Sequence, residues 1–173
     1  MSELDSIIIE TREQPDAAVI WLHGLGADGS DFVPIVEQLQ LPSHYAFRFI
    51  FPHAPVRPIT INQGYQMPGW YDISSLSIVE QEDEAGIKES SAILKQLCEA
   101  QEASGIDSSR IIVAGFSQGG AIALHCGCRY PDHWQALWRC QLICLCLKRS
   151  PMRSVRALAK HPYLWRMADR MML

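Results

Sequence analysis

Gly115-Phe116-Ser117-Gln118-Gly119 is the stretch of this 173-residue sequence whose residue types and spacing can do chemistry. It fits G-x-S-x-G between an apolar run, Ile111-Ile112-Val113-Ala114, and a small-residue helical pattern from Gln118 to Cys126. In that context the serine sits on a sharp strand-to-helix turn and its hydroxyl is exposed as a nucleophile. The glycines supply space, because side chains flanking Ser117 would collide with the neighbouring strand and helix. A serine N-cap beside packing glycines is the plain structural alternative. A serine attacking a carbonyl also needs donors aimed at the developing oxyanion. The backbone N–H of Gln118 supplies one, at a helix start where amides lack intrahelical partners and the dipole favours negative charge. The loop His23-Gly24-Leu25-Gly26 supplies another, its glycines letting the backbone at Leu25 approach a substrate.

The elements that must hold these residues follow from hydropathy. Ala17 to Leu22 is continuously apolar and reads as a strand buried on both faces of a parallel sheet. Phe47 to Phe51 is a second strand, and the stretch through Pro52, Pro55, Pro58 and Pro68 reads as a long surface loop. Ser77 to Ala103 is helical in pattern, with Ile87, Ala92, Ile93, Leu94 and Leu97 on one face. The acidic start from Glu80 to Glu84 is a solvated first turn. Ile111 to Phe116 is the third strand. Strand, loop, helix, strand, helix gives an α/β fold.

Four motifs, in order, resemble the phospholipase/carboxylesterase family of α/β-hydrolases, which includes the acyl-protein thioesterases. They are His23 to Phe32, Phe51-Pro52-His53-Ala54-Pro55, Gly69-Trp70-Tyr71-Asp72 and Ala114 to Gly120, and the resemblance covers residues 6 to about 132. It implies an α/β-hydrolase fold with a mostly parallel sheet, cut short after the elbow strand and helix. It also implies Ser117 as the catalytic nucleophile and Leu25 and Gln118 as the oxyanion amides. The expected substrates are carboxylic or thio esters with short to medium acyl chains. Trp70 would line the substrate groove, with core packing as its structural alternative.

Such hydrolases order their triad as Ser, then Asp, then His. After Ser117 the acids are Asp132 and Asp169 and the histidines are His125, His133 and His161. None gives the required order in a family-like segment, and His125, just past the elbow, reads as a packing residue. The composition changes at the same place. Residues 1–132 carry 7 Lys+Arg against 18 Asp+Glu, whereas 133–173 carry 8 against 1, with three of the five Trp and no Gly. A folded α/β segment of that length needs glycine for turns and helix ends. Reading the codons allowed for His133 to Leu147 one base earlier permits P-L-A-G-x-x-A-L-S-T-Y-L-P-L-P. His161 to Leu173 permits T-P-I-F-M-A-H-G-R-S-D-D-V, with an Asp codon forced across Met171-Met172. Both strings resemble the family's next strand and its acid-bearing segment. The expectation is a frame change near Asp132 and His133, leaving a first part, 1–132, and an out-of-frame, poorly ordered tail, 133–173. Ile111 to Gly115 would then be an unpaired apolar edge, with poor solubility as the consequence.

The function expected is a serine ester or thioester hydrolase with an acyl-enzyme mechanism, nearly inactive for want of the Asp and His. A non-catalytic acyl-binding module is the alternative, distinguished by retained affinity without turnover. A nucleic-acid or membrane binder working through the basic tail is a third reading, and salt-sensitive binding lost on cutting after Asp132 would mark it. Cys126-x-Cys128 and Cys140-x3-Cys144-x-Cys146 lack zinc spacings, so no metal and no cofactor are expected. The partner expected is a small-molecule or lipid-like ester, without nucleic acid or stable membrane insertion. No stretch reaches the roughly 18 apolar residues of a membrane span and Met1 to Glu10 lacks a signal-peptide pattern, so a cytoplasmic setting with reduced thiols is expected.

Overall fold

A run of six apolar residues can be buried on both faces only in the middle of a sheet covered on both sides. A computed structural model, describing residues 4–75, 83–129 and 142–144, places Ala17–Leu22 there. In chain order the elements are β1 (Ser6–Glu10), β2 (Ala17–Leu22), α1 (Ile35–Gln38), β3 (Phe47–Pro52) and the strands β4 (Val56–Ile59) and β5 (Tyr65–Pro68). After them come α2 (Glu84–Ala103), β6 (Ile111–Gly115), α3 (Gln118–Arg129) and β7 (Leu142–Cys144). The main sheet has the order β1-β3-β2-β6-β7. All its pairings are parallel except β1 on β3, where Ile8 lies opposite Ile50.

Two cores sandwich the sheet. On one face Ala18, Ile20, Leu22, Ile111 and Val113 pack with Leu94 and Cys98 of α2 and Ile122, Ala123 and Cys126 of α3. On the other, Val19, Trp21, Phe49, Phe51, Ile112 and Ala114 pack with Phe32, Val33, Ile35 and Val36 around α1. The alternation of these two sets along β2 and β6 follows from the two-residue period of a strand.

Several sequence expectations are corrected. The proline-rich stretch is not a loop throughout. Val56 to Pro68 forms a two-stranded antiparallel hairpin, with Pro58 and Pro68 in a ladder short enough to dispense with their missing N–H groups. β1 was not expected at all. The buried face of α2 matches the apolar set only in part: Leu94 is buried and Ile87 and Leu97 pack against the core, but Gly86, Ser90, Ser91, Cys98 and Gln101 complete the face while Ala92 is exposed. Small and hydroxylated residues on that face satisfy polar groups of the neighbouring segments, which apolar periodicity does not reveal. Finally, β6 is not an edge, since Val113, Ala114 and Gly115 pair with Leu142, Ile143 and Cys144. The expected aggregation through β6 loses its basis. The other residues of 133–173, and the helix expected before Glu84, lie outside the described residues.

Candidate active site

β6 ends at Gly115 and α3 begins at Gln118, so the chain must reverse from strand to helix in two residues. It does so with Ser117 in the left-handed region at φ 52, a conformation costing a non-glycine residue on the order of 1–2 kcal/mol. The tightness is visible at the glycines. A Cβ on Gly115 would lie 2.5 Å from the Gly119 carbonyl, and one on Gly119 would lie 2.4 Å from the Leu22 carbonyl oxygen. The Phe116 N–H donates to the Leu22 carbonyl at 2.9 Å, binding the elbow to the end of β2. Phe116 and Ser117 are exposed, while Gly115 before them and Gln118 to Gly120 after them are buried.

The loop leaving β2 reaches the same place. A Cβ on Gly24 would stand 3.5 Å from the Ser117 Cβ and 3.1 Å from the Phe116 ring, so this backbone lies close beside the serine. Gly26 holds φ +72, and Leu25 is half-buried between these two glycines. Leu25, far in sequence from Ser117 and Gln118, thus converges with them at the C-terminal ends of β2 and β6.

His23, the last residue before the loop, is fully buried. Its Nε2 accepts the Ala54 N–H at 2.9 Å, so the proton resides on Nδ1, which donates to the Gly24 carbonyl at 2.7 Å. Burial pushes this imidazole below its ordinary pKa, keeping it neutral. Farther along the loop, Asp28 caps the short turn Gly29–Phe32, accepting from the Ser30 hydroxyl and N–H, and these bonds hold its carboxyl below the usual range.

Trp70, expected in the substrate groove, has no exposed surface at all. Its ring packs on His23 with centroids 5.3 Å apart, and its indole N–H donates to the His23 carbonyl at 2.9 Å. The Gln118 side chain is equally buried. Its Oε1 accepts the Trp70 N–H at 2.8 Å and its Nε2 donates to the Tyr71 carbonyl at 2.6 Å. Asp72 anchors the adjoining hairpin through the Thr60 N–H and hydroxyl. Burial raises its pKa, but those bonds, the Ile73 N–H and the Arg57 charge outweigh it and the net shift is downward. The roles of His23 and of the Gln118 carboxamide were not legible in sequence spacing, because their partners lie 31 and 47–48 positions away.

His125 lies on α3 with Nδ1 2.9 Å from the Ser91 hydroxyl, a tie between two helices. Next to it Cys126 is buried, which pushes its thiol up to about 11. His133, His161, Asp132 and Asp169 fall outside the described residues.

Known proteins resemble this chain in sequence and fold. Residues 4–162 match the family described as Phospholipase/Carboxylesterase. Acyl-protein thioesterase 1 of Schizosaccharomyces pombe is 42% identical over 130 residues, covering 75% of this chain and 57% of the yeast protein. The crystal structure of Zea mays acyl-protein thioesterase 2 is 31% identical with a TM-score of 0.61, covering 71% of this chain and 50% of that one. Arabidopsis thaliana SOBER1 is 30% identical with a TM-score of 0.62, over 66% of this chain and 56% of that one. The chain therefore spans little more than half the length of these relatives, and the match to the family runs past Asp132. On the glycine-bounded serine elbow, the His23–Gly26 loop beside it and a family match over most of its length, the chain belongs to the phospholipase/carboxylesterase family of α/β-hydrolases.

Proposed function

We propose that this chain carries the nucleophile and oxyanion hole of a serine hydrolase for carboxylic or thio esters with short to medium acyl chains. The Ser117 hydroxyl attacks the carbonyl, the oxyanion is met by the Leu25 and Gln118 N–H groups, an acyl-enzyme forms, and water releases the acid. One observation carries this reading: an exposed serine at φ 52 on the β6–α3 turn, with the Gly24 backbone packed against it. The names of the relatives, acyl-protein thioesterases, support an acyl ester or thioester as substrate. A cytoplasmic setting, where Cys98 and Cys126 stay reduced, accords with this chemistry.

The same reading holds that the chain turns over slowly, because after Ser117 neither Asp132 nor Asp169 stands with a His in a segment that resembles the family's. Loss of the general base costs on the order of 10⁶ in kcat in a well-studied protease. A frame change near Asp132 and His133 accounts for the missing pair, and 1–132 is then the selected part. The test compares the purified chain with Ser117→Ala on p-nitrophenyl butyrate. Expected is weak turnover lost in the variant, and rates of an intact serine esterase would refute the missing base. Reading the nucleotides across codons 132 and 133 decides the frame: a printed frame without the family's acid segment in the shifted one overturns that part.

A further inference from the structure

The segment Pro68 to Tyr71 touches both arms of the oxyanion hole and belongs to neither. Its Pro68 carbonyl accepts the Gly26 N–H at 2.9 Å, one residue past Leu25. Its Trp70 indole N–H reaches the His23 carbonyl at 2.9 Å, two residues before Leu25. From the other arm, the Gln118 carboxamide brackets the same segment, accepting from the Trp70 N–H at 2.8 Å and donating to the Tyr71 carbonyl at 2.6 Å. Gly69 lies between the arms: a Cβ there would stand 3.0 Å from the Leu25 side chain and 3.5 Å from the Gln118 Oε1. The segment is itself fastened to α2 by the Ser90 hydroxyl, which donates to the Trp70 carbonyl.

We propose that Pro68-Gly69-Trp70-Tyr71 is a crosspiece that sets the separation of the Leu25 and Gln118 amides, with Trp70 and the Gln118 side chain as positioning residues rather than groups that touch substrate. This rests on the reading of Leu25 and Gln118 as oxyanion donors. The physical argument is that two donors on different loops stabilise a developing charge only if their spacing is fixed before the reaction. The β2 loop and the start of α3 are separate elements, joined directly by the Phe116 N–H to the Leu22 carbonyl. Four hydrogen bonds to one segment, in which Gly69 and Trp70 are buried, add a second tie farther along both arms, and a connected network of this kind is stiffer than its separate bonds. His23 extends the frame, since its Ala54 and Gly24 bonds fix the carbonyl that the indole grips.

The test uses Trp70→Phe, which keeps a ring and removes the indole N–H, and Gln118→Met, which keeps the backbone amide and removes the carboxamide. Val19→Ala, in the core on the opposite sheet face, is the control for simple destabilisation. Amide hydrogen exchange is read at Gly26 and at Gln118 to Gly120 in the full chain. The crosspiece predicts crossed effects: Gln118→Met speeds exchange at Gly26 and Trp70→Phe speeds it at α3, each by tenfold or more beyond the control at equal loss of melting temperature. In the same samples, Ser117-dependent ester hydrolysis falls tenfold or more in kcat with KM unchanged. Exchange confined to the arm that was altered, or matching the control, overturns the crosspiece. Hydrolysis by the parent that survives Ser117→Ala overturns the nucleophile reading instead, and the exchange pattern still decides the crosspiece.

Discussion

Replacing Gly119 by alanine separates helix propensity from the geometry of the elbow. Gly119 is the second residue of α3, and on propensity alone alanine in a helix stabilises by about 0.5–1 kcal/mol. The structure reverses that sign. The new methyl would lie 2.4 Å from the Leu22 carbonyl oxygen and 2.5 Å from that of His23, and both obstacles are backbone at the end of the central strand. Reaching 3.0 Å, closer than which real Cβ atoms essentially never come, requires a relative movement of about 0.6 Å between α3 and β2. Overpacking of this kind costs about 1–3 kcal/mol, so the net loss is about 1–2 kcal/mol. For a domain of this size each kcal/mol lowers the melting temperature by about 2–4 °C. Thermal and urea melts of parent and Gly119→Ala measure it, with Gly105→Ala as the comparison. Gly105 has open space around its Cβ and only a positive φ, +96, to oppose the change. The movement also carries the Gln118 N–H away from the Leu25 loop, and one lost oxyanion donor is worth on the order of 10²–10³ in rate. A Gly119→Ala protein that melts at or above the parent would refute the packing argument.

Other consequences are testable in the same way. Ser117→Gly removes the left-handed strain at φ 52 and should stabilise the fold by about 1 kcal/mol while ending Ser117-dependent chemistry, and a destabilised variant in a urea melt would count against stored strain. His23 is neutral and its pKa is depressed, so the unfolded chain binds its proton first. Its contribution is complete above about pH 6.5 and is lost as the pH falls below that, at no more than about 1.4 kcal/mol per pH unit. Asp28, Asp31 and His53 are the charged and titratable groups that influence it. In His23→Gln this limb of the stability profile should vanish, and an unchanged limb would assign it elsewhere. Asp83 caps α2 through the Gly86 N–H and also accepts the Asp72 N–H, each at 2.9 Å. Asp83→Ala should lower stability by about 1–2 kcal/mol in a urea melt, and no change would deny the cap.

The central strands were legible because β2 and β6 are continuous apolar runs and β3 is one broken only by Arg48, a pattern that few other elements share. β1 was not, because its three consecutive isoleucines hide the alternation that leaves Ile8 58% exposed while its neighbours pack inward. The hairpin was concealed by prolines that exclude a central strand but not a two-stranded ladder. At the site, Ser117, Leu25 and the Gln118 amide could be picked out because each depends on local glycine spacing. The Gln118 carboxamide, the Trp70 indole and the His23 ring act across long separations, and no local pattern encodes which carbonyl a buried donor will find. Trp70 shows the difference most plainly, since its motif marks its neighbourhood and only the fold shows that its ring faces His23 and the core.

The central claim is that Ser117 is a positioned nucleophile without its general base. Treating the purified chain with a fluorophosphonate and locating the adduct by peptide mass spectrometry tests it directly. The account predicts slow labelling confined to the peptide bearing Ser117, abolished by Ser117→Ala, with p-nitrophenyl ester turnover far below that of an intact serine esterase. Labelling at other residues while Ser117 stays unmodified would contradict the nucleophile, and rapid turnover with rapid Ser117 labelling would contradict the missing base.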